Sequence, residues 1–308
     1  MRVLRGEPSG WDLQTARVAV AVGVFDGVHR GHRHVLGVLT GRAAARGLAA
    51  AVLTFEPHPL MVVAPDRAPV MLTTIDQRLE LLADAGVEIV AVLDFDERVR
   101  DWSPAGFVAE TLGGPLAARL VVVGEDFRFG KDRVGDAGLL RELGVGTGFD
   151  TEVVSLVGEG RPVSSTHIRE MIGAGDVAGA AVALSRHHEL WGEVIAGDGR
   201  GRSIGIPTAN LALPAGLAVP KRGVYAVTAG RSAAERIAGV ANVGVRPTFG
   251  ETAETVEAHL LDFADDLYGQ VLRVRFVARI RDEQKFGSAA ELVGQIGRDI
   301  EVARSVLG

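Results

Sequence analysis

The chain has 308 residues, of which 47% are hydrophobic and 23% charged, and its net charge is -6. This length and composition predict a globular chain of two domains, each able to bury its own core. The negative charge argues against a nucleic-acid binder, which needs a basic face. The absence of cysteine excludes disulfides, thiolate metal sites and cysteine nucleophiles.

The N-terminal residues 1–8 lack the apolar segment of a signal peptide, and the chain has no run of about 18 apolar residues that would predict a membrane span. A chain without cysteine is compatible with a reducing compartment. We therefore predict a cytoplasmic protein without membrane or nucleic-acid partners. The sequence leaves open whether the chain is a monomer or a weak homo-oligomer.

The first half alternates predicted strands and helices. The predicted strands cover residues 17–24, 48–55, 87–93, 120–123 and 152–156, and the helices cover 31–46, 75–85 and 104–112. Near-continuous apolar strands separated by helices indicate βαβ crossovers, and therefore a parallel sheet covered on both faces. This half is predicted to be an α/β, Rossmann-like, doubly wound domain.

In the second half the predicted strands follow one another without intervening helices. They cover residues 190–195, 223–229, 237–243, 255–261 and 271–280. Short strands at this spacing predict an antiparallel barrel or sandwich. A last amphipathic helix is predicted at 288–307. The change of pattern near 183–188 divides the chain into domains at 1–185 and 186–308.

The segment 23–32 (GVFDGVHRGH) joins the first strand to the first helix. In open α/β sheets, ligands bind at this carboxyl edge, where the helix N-terminus offers N–H donors to phosphate. The segment, with Gly23 and Phe25, is therefore predicted to bind a phosphate group. His29 and His32 lie three residues apart and can reach one spot, an α-phosphate. The alternatives are two surface histidines or a zinc pair, for which no third ligand is evident nearby.

The segment 164–169 (SSTHIR) is a second phosphate candidate. Ser165 and Thr166 precede an apolar helical stretch and are ordinary helix-capping residues, which is the alternative interpretation. Arg169 lies in the first turn, where the helix dipole disfavours a cation. An anion shared with the hydroxyls would explain the arginine there.

Two further loops follow predicted strands at the same edge. Segment 124–130 (GEDFRFG) contains Asp126, a candidate nucleotide contact, and segment 54–59 (TFEPHP) contains two prolines around His58. The alternatives are a turn with two buried aromatic residues for the first loop and a rigid βα connection for the second.

In the second half, the loop 197–207 is rich in glycine and arginine, and such loops can cradle phosphates with main-chain N–H groups. Its predicted phosphate-binding residues are Gly199, Arg200, Gly205 and Pro207. Thr208 and Asn210 alternate along an extended segment, so their oxygens share one side and can hold Mg²⁺.

Glu257 stands between Val256 and Ala258 in a predicted strand and points opposite to both. It is either a solvated strand residue or a general base aimed into a site.

These motifs, in this order, resemble the bacterial bifunctional riboflavin kinase/FMN adenylyltransferase (FAD synthetase) family over essentially the whole chain. Further landmarks of the resemblance are segments 223–227 (GVYAV), 242–244 (NVG), 266–269 (DLYG) and 281–286 (RDEQKF). The resemblance implies a nucleotidylyltransferase-type domain over 1–185 and a six-stranded riboflavin-kinase barrel over 186–308. It also implies phosphorylation of riboflavin by ATP to FMN, then adenylylation of FMN by ATP to FAD and pyrophosphate.

The resemblance also implies roles for individual residues. In the first domain His29 and His32 match residues that act on the α-phosphate of ATP. Three others match residues that hold the outer phosphates, namely Ser165, Thr166 and Arg169. Asp126 stands where some relatives carry asparagine.

In the second domain, Thr208 and Asn210 match ligands of Mg²⁺–ATP, and Glu257 matches the general base for the riboflavin 5′-hydroxyl. Two alternatives compete with a two-headed enzyme. In one, a single head is active and the other only binds flavin. In the other, the chain is a non-catalytic flavin sensor or carrier, for which two Mg·ATP sites would have no purpose.

Overall fold

The computed structural model describes residues 1–14, 16–155, 163–197, 201, 205–248 and 251–308. Two compact units account for the contacts of the chain. The first unit comprises residues 1–69 and 74–164, and the second comprises 70–73 and 165–308. Among the described helices, none has both the length and the hydropathy that a membrane crossing requires.

The first unit is built on a six-stranded sheet in which every pairing is parallel. The strands are β1 (Arg2–Gly6), β2 (Val18–Val22), β3 (Ala49–Glu56), β4 (Ile89–Asp94), β5 (Ala118–Gly124) and β6 (Asp150–Val154). Their order in the sheet is β1-β4-β3-β2-β5-β6. The central position of β2 places its carboxyl end beside those of β3 and β5.

In the described part of the first unit, α-helices connect these strands. They are α1 (Arg30–Arg46), α2 (Pro59–Val63), α3 (Ile75–Asp84), α4 (Glu97–Arg100), α5 (Pro104–Phe107) and α6 (Ala137–Thr147). A π-helical turn, Val108–Gly113, continues α5.

Alternate residues of the buried strands feed two separate cores. Val20 packs with residues such as Phe107 in one cluster, whereas Ala19 and Ala21 pack with Leu36 of α1 in another. Because successive side chains of a strand point to opposite faces, the two clusters show that both faces of the sheet are covered. The predicted α/β doubly wound domain is confirmed.

All five strands predicted in this half are present, and β1 was missed. It has only five residues, two of them arginines, and it pairs with β4 at the edge of the sheet. A short strand of this composition lacks the apolar run that marks a buried parallel strand.

The second unit contains a closed six-stranded barrel. Its strands are β7 (His188–Ile195), β8 (Ala209–Ala212), β9 (Gly223–Gly230), β10 (Ile237–Thr248), β11 (Glu251–Leu260) and β12 (Val271–Arg281). Their order around the barrel is β10-β11-β8-β7-β12-β9. Its described residues also form helices α7 (Ser165–Ala174), α8 (Val177–Leu184) and α9 (Ala289–Leu307). The structure selects the barrel over the sandwich and adds β8, whose four residues are too few for a periodic signal.

The outer face of the barrel carries its own apolar cluster. Val224, Ala226 and Val240 pack with Ala303 of α9 there. The predicted C-terminal helix is thus confirmed, one residue later than expected, with Ser288 as its N-cap. Grouping by contacts places α7 and α8 with the barrel, whereas the predicted division at 185/186 follows α8; that division stays a prediction about function.

Candidate functional sites

The loop after β2 holds an unusual backbone conformation. Phe25 (φ 53°) and Val28 (φ 38°) have positive φ values, as does Gly27 (φ 79°). Non-glycine residues avoid this region because Cβ crowds the backbone, so such a loop persists only where its surroundings hold it. Asp26 and His29 are buried within it. The segment singled out by sequence is therefore a constrained turn and not a loose connection.

The turn brings the two histidines together at the start of α1. Their rings stack with centroids 3.6 Å apart at an interplanar angle of 18°. The Phe25 ring meets His32 edge-on at 5.2 Å. A methyl group on Gly31 would lie 3.1 Å from the His29 ring, so glycine leaves room for the stack. The geometry fits the prediction that both imidazoles serve one spot.

His29 is also the N-cap of α1. Its Nδ1 accepts a hydrogen bond from the backbone N–H of His32 at 3.3 Å. In a neutral ring that accepts at Nδ1, the proton is on Nε2. Nε2 is then the atom of His29 that can donate to a phosphate oxygen.

The other two loops at this edge differ in character. Asp126 is exposed, while Phe127 and Phe129 stack at 5.4 Å and join the core. The aromatic pair thus has the structural role offered as the alternative, and Asp126 is left as the candidate contact. His58 caps α2 by accepting from the Leu60 N–H at 3.1 Å, as expected of a rigid βα connection.

The second phosphate candidate lies at the start of α7, in the second compact unit. Ser165 is the first residue of the helix, and Thr166 is exposed. Arg169 donates from Nε to the backbone carbonyl of Val70 at 2.6 Å. Part of the reason for an arginine in the first turn is therefore this backbone contact, which the sequence did not reveal.

On the barrel, strand register aligns three polar residues. Glu257 of β11 is directly opposite Asn210 of β8 on one side and Asn242 of β10 on the other. Opposite residues in antiparallel strands point to the same face. The row continues to Val224 of β9, which places it on the outer face beside α9, since Val224 packs there. Sequence reasoning gave no role to Asn242, because only the register relates it to Glu257.

The segment before β8 is packed tightly around Asn210. A Cβ on Gly197 would lie 2.3 Å from Asn210 Nδ2, so the amide occupies the space beside that backbone. His259 Nδ1 lies 2.7 Å from the Pro207 carbonyl oxygen and anchors the chain just before Thr208. Gly205 has a positive φ of 78°. The predicted contacts Gly199 and Arg200 lie outside the described residues.

The environment of Glu257 fits a side chain on the outer face of the barrel. Its neighbours Val256 and Ala258 are buried and point inward, while Glu257 is half-buried. The predicted orientation, opposite to both neighbours, is therefore confirmed. Among the described residues, no group of three histidine, aspartate or glutamate side chains could hold a metal ion.

Comparison with known proteins covers both units. A family model described as FAD synthetase matches residues 12–167, and one described as riboflavin kinase matches residues 184–307. A crystal structure described as a macrolide-efflux protein from Streptococcus pneumoniae is 30% identical, with a TM-score of 0.89 and 99% of each chain covered.

Two full-length relatives carry the same name, bifunctional riboflavin kinase/FMN adenylyltransferase. The relative from Escherichia coli K12 is 38% identical over 100% of this chain and 98% of its own length. The relative from Bacillus subtilis 168 is 36% identical over 94% of this chain and 92% of its own length. The chain therefore belongs to the bifunctional riboflavin kinase/FMN adenylyltransferase family.

Proposed function

We propose that this chain phosphorylates riboflavin with ATP to FMN and adenylylates FMN with ATP to FAD, releasing pyrophosphate. One observation carries the proposal. The same chain has a stacked histidine pair at the carboxyl edge of a parallel sheet and a glutamate in register with Asn210 on a barrel. The presence of both domains favours this reading over the alternative in which one head is inactive.

In adenylyl transfer the phosphate of FMN attacks the α-phosphorus of ATP, and pyrophosphate leaves. The nucleophile is already anionic, so the step needs stabilisation of developing charge and no general base. His29 and His32 supply donors to the α-phosphate, and the N-terminus of α1 adds backbone N–H groups and a favourable dipole. Gly23, Phe25 and Asp126 are the proposed further nucleotide contacts.

The proposed ligands of the outer phosphates are Ser165, Thr166 and Arg169, on the basis of the family resemblance. A hydroxyl pair at the start of a helix and a nearby guanidinium are the donors that phosphate oxygens prefer. We assign residues 1–185 to adenylyl transfer and 186–308 to the kinase.

In the kinase reaction Glu257 takes the proton from the riboflavin 5′-hydroxyl as the oxygen attacks the γ-phosphorus, and ADP leaves. The half-buried position of Glu257, between two asparagines of neighbouring strands, supports this role. Phosphoryl transfer depends mostly on positioning and charge neutralisation. The loop with Gly199, Arg200, Gly205 and Pro207 is proposed to bind the phosphates of ATP.

The residues around β8 fit a magnesium ion. A threonine hydroxyl and an asparagine amide oxygen are the hard donors that Mg²⁺ accepts, and the ion keeps several water ligands of its own. The amide of Asn210 is confined by the backbone at Gly197, as a metal ligand would require. When bound, Mg²⁺ neutralises charge on the phosphate oxygens. Thr208 and Asn210 would hold it.

A single assay tests the proposal. Pure protein is incubated with riboflavin, ATP and Mg²⁺, and the flavins are resolved by chromatography with time. We expect FMN first and FAD later. FMN without FAD would contradict the two-headed assignment, and no conversion would favour a flavin sensor. We place the enzyme in the cytoplasm, where ATP is available, without nucleic-acid or membrane partners, as the net charge and the lack of cysteine support.

A further inference from the structure

Arg78, on the first turns of α3, is an arginine that the proposed chemistry does not use. Its side chain is only 1% exposed, although it is charged. Arginine is almost never fully buried unless it is paired. Its position therefore needs an explanation beyond filling space.

The guanidinium bonds to the end of β3 and, through Thr54, is linked to the loop after β2. Arg78 Nη1 donates to the Phe55 carbonyl oxygen at 3.2 Å and to Thr54 Oγ1 at 3.3 Å. Thr54 Oγ1 in turn donates to the Val24 carbonyl oxygen at 3.0 Å. A continuous chain of hydrogen bonds thus runs from α3 through the end of β3 to the loop after β2.

That loop is the strained turn that carries the histidines. Val24 is followed directly by Phe25, the first of the residues with positive φ, and the turn ends at His29. A turn in this conformation relaxes unless its ends are fixed. Arg78 fixes one end through Thr54.

The charge of Arg78 points to the same loop. Burial lowers the pKa of the guanidinium, and the nearby carboxylates of Asp26 and Glu56 oppose that effect. Glu56 Oε2 lies 3.9 Å from Arg78 Nη2, while Arg78 Nε is buried and has no hydrogen-bond partner. A buried charge with incomplete pairing is weak as a stabilising device, since an apolar side chain would serve as well.

We propose that Arg78 is a positioning residue for adenylyl transfer. It holds the loop after β2 through Thr54, so that the histidine pair keeps its place. The inference rests on the proposed adenylyltransferase function. Arg78 acts through the loop and not by contact with a substrate.

The test compares three single variants at a temperature at which circular dichroism shows all of them folded. Arg78→Lys keeps the charge, but a single ammonium does not reproduce the planar fork of donors. Thr54→Val removes the hydroxyl that passes the contact to Val24 and keeps the shape. The matched control, Leu82→Ala, removes core packing one helical turn after Arg78 and leaves the partners of these hydrogen bonds unchanged.

For R78K we expect kcat of FAD formation to fall about 10-fold to 100-fold, as for a misplacement of roughly 1 Å, with the KM values for ATP and FMN little changed. T54V should show the same pattern with a smaller loss. The fold-decrease in kcat of the double variant should be smaller than the product of the two single decreases, since both substitutions break the same chain of hydrogen bonds. Riboflavin phosphorylation should be unchanged in all variants.

Three results would overturn the inference. One is unchanged kcat of FAD formation in R78K and T54V. The second is an equal loss in L82A, which would make the role one of stability. The third is a rise in KM at constant kcat. If R78K does not fold, T54V decides by the same criteria. Absence of FAD formation in the unmodified chain would instead contradict the proposed function.

Discussion

The two candidate sites place their key side chains by different means. In the first unit, the histidines stand on a strained turn at the end of a parallel strand, and contacts from β3 and α3 fix that turn. In the second unit, Glu257 and Asn210 sit within regular antiparallel strands, and the pairing of the strands sets their distance. The conformation of the turn depends on the residues that pack against it, whereas the alignment of polar residues on neighbouring strands depends on strand register.

The largest effect is expected for Glu257, which is aligned with asparagines of the neighbouring barrel strands. Replacing Glu257 with glutamine should lower kcat of FMN formation about 100-fold to 10,000-fold, because the amide cannot accept the hydroxyl proton. FAD formation from supplied FMN should be unchanged. The measurement is flavin chromatography with riboflavin or FMN as the substrate.

The control for this variant is Glu254→Gln, an exposed carboxylate three residues away on β11. It should leave both rates unchanged. Equal loss of both activities in Glu257→Gln would mean that the two sites are not independent.

The second prediction tests the turn. His29→Asn removes the imidazole, while asparagine is a good N-cap that preserves the start of α1. We expect kcat of FAD formation to fall about 100-fold to 1,000-fold, as for loss of one donor to the developing charge. FMN formation should persist, as measured in the same assay.

His58→Asn is the matched control, since His58 also caps a helix through Nδ1. The His29 assignment fails if both variants lose FAD formation equally. In that case, helix capping would explain the loss.

The third prediction concerns the packing around Asn210. A methyl group at residue 197 would collide with the asparagine amide, which is the end of a flexible side chain and can move. Gly197→Ala should therefore cost little stability, yet raise the Mg²⁺ concentration needed for half-maximal FMN formation roughly tenfold. A magnesium titration of the kinase rate measures this.

Gly297→Ala is the control, because an added methyl at that position of α9 meets no atom within 4 Å. It should leave the magnesium requirement unchanged. An unchanged requirement in Gly197→Ala would argue against Asn210 as a metal ligand.

The smallest expected effect concerns the stability of the second unit. Local desolvation and the nearby Arg236 and Arg275 lower the pKa of His187, an exposed residue that directly precedes β7. Between this lowered pKa and the unfolded value of about 6.5, the unfolded chain binds more protons, so stability rises with pH. The contribution of His187 to the free energy of unfolding is therefore complete above about pH 6.5 and is lost as the pH falls.

We expect the thermal midpoint to drop on going from pH 7.5 to 5.5, and His187→Gln to reduce that drop slightly. Scanning calorimetry at the two pH values measures it. An unaltered pH dependence in the variant would assign the drop to other groups.

Much of the chemistry could be predicted from local sequence. The segment 23–32 identified a strand, a turn and a helix start, because glycines and the position of the histidines have direct local consequences. The spacing of Thr208 and Asn210 predicted a shared face, since side chains alternate along any extended segment. The same rule predicted that Glu257 points to the face opposite its buried neighbours.

Only the tertiary structure decided which residues meet across the chain. Nothing local to Arg78 indicates that its guanidinium is linked through Thr54 to the loop after β2, because these hydrogen bonds join residues that are 24 and 30 positions apart and depend on the order of the strands. The residues opposite Glu257 on the adjacent strands likewise depend on strand register. A shift of one residue would turn the side chains of a strand to the other face of the barrel. Sequence determined which donors and acceptors are available, and long-range packing determined their partners.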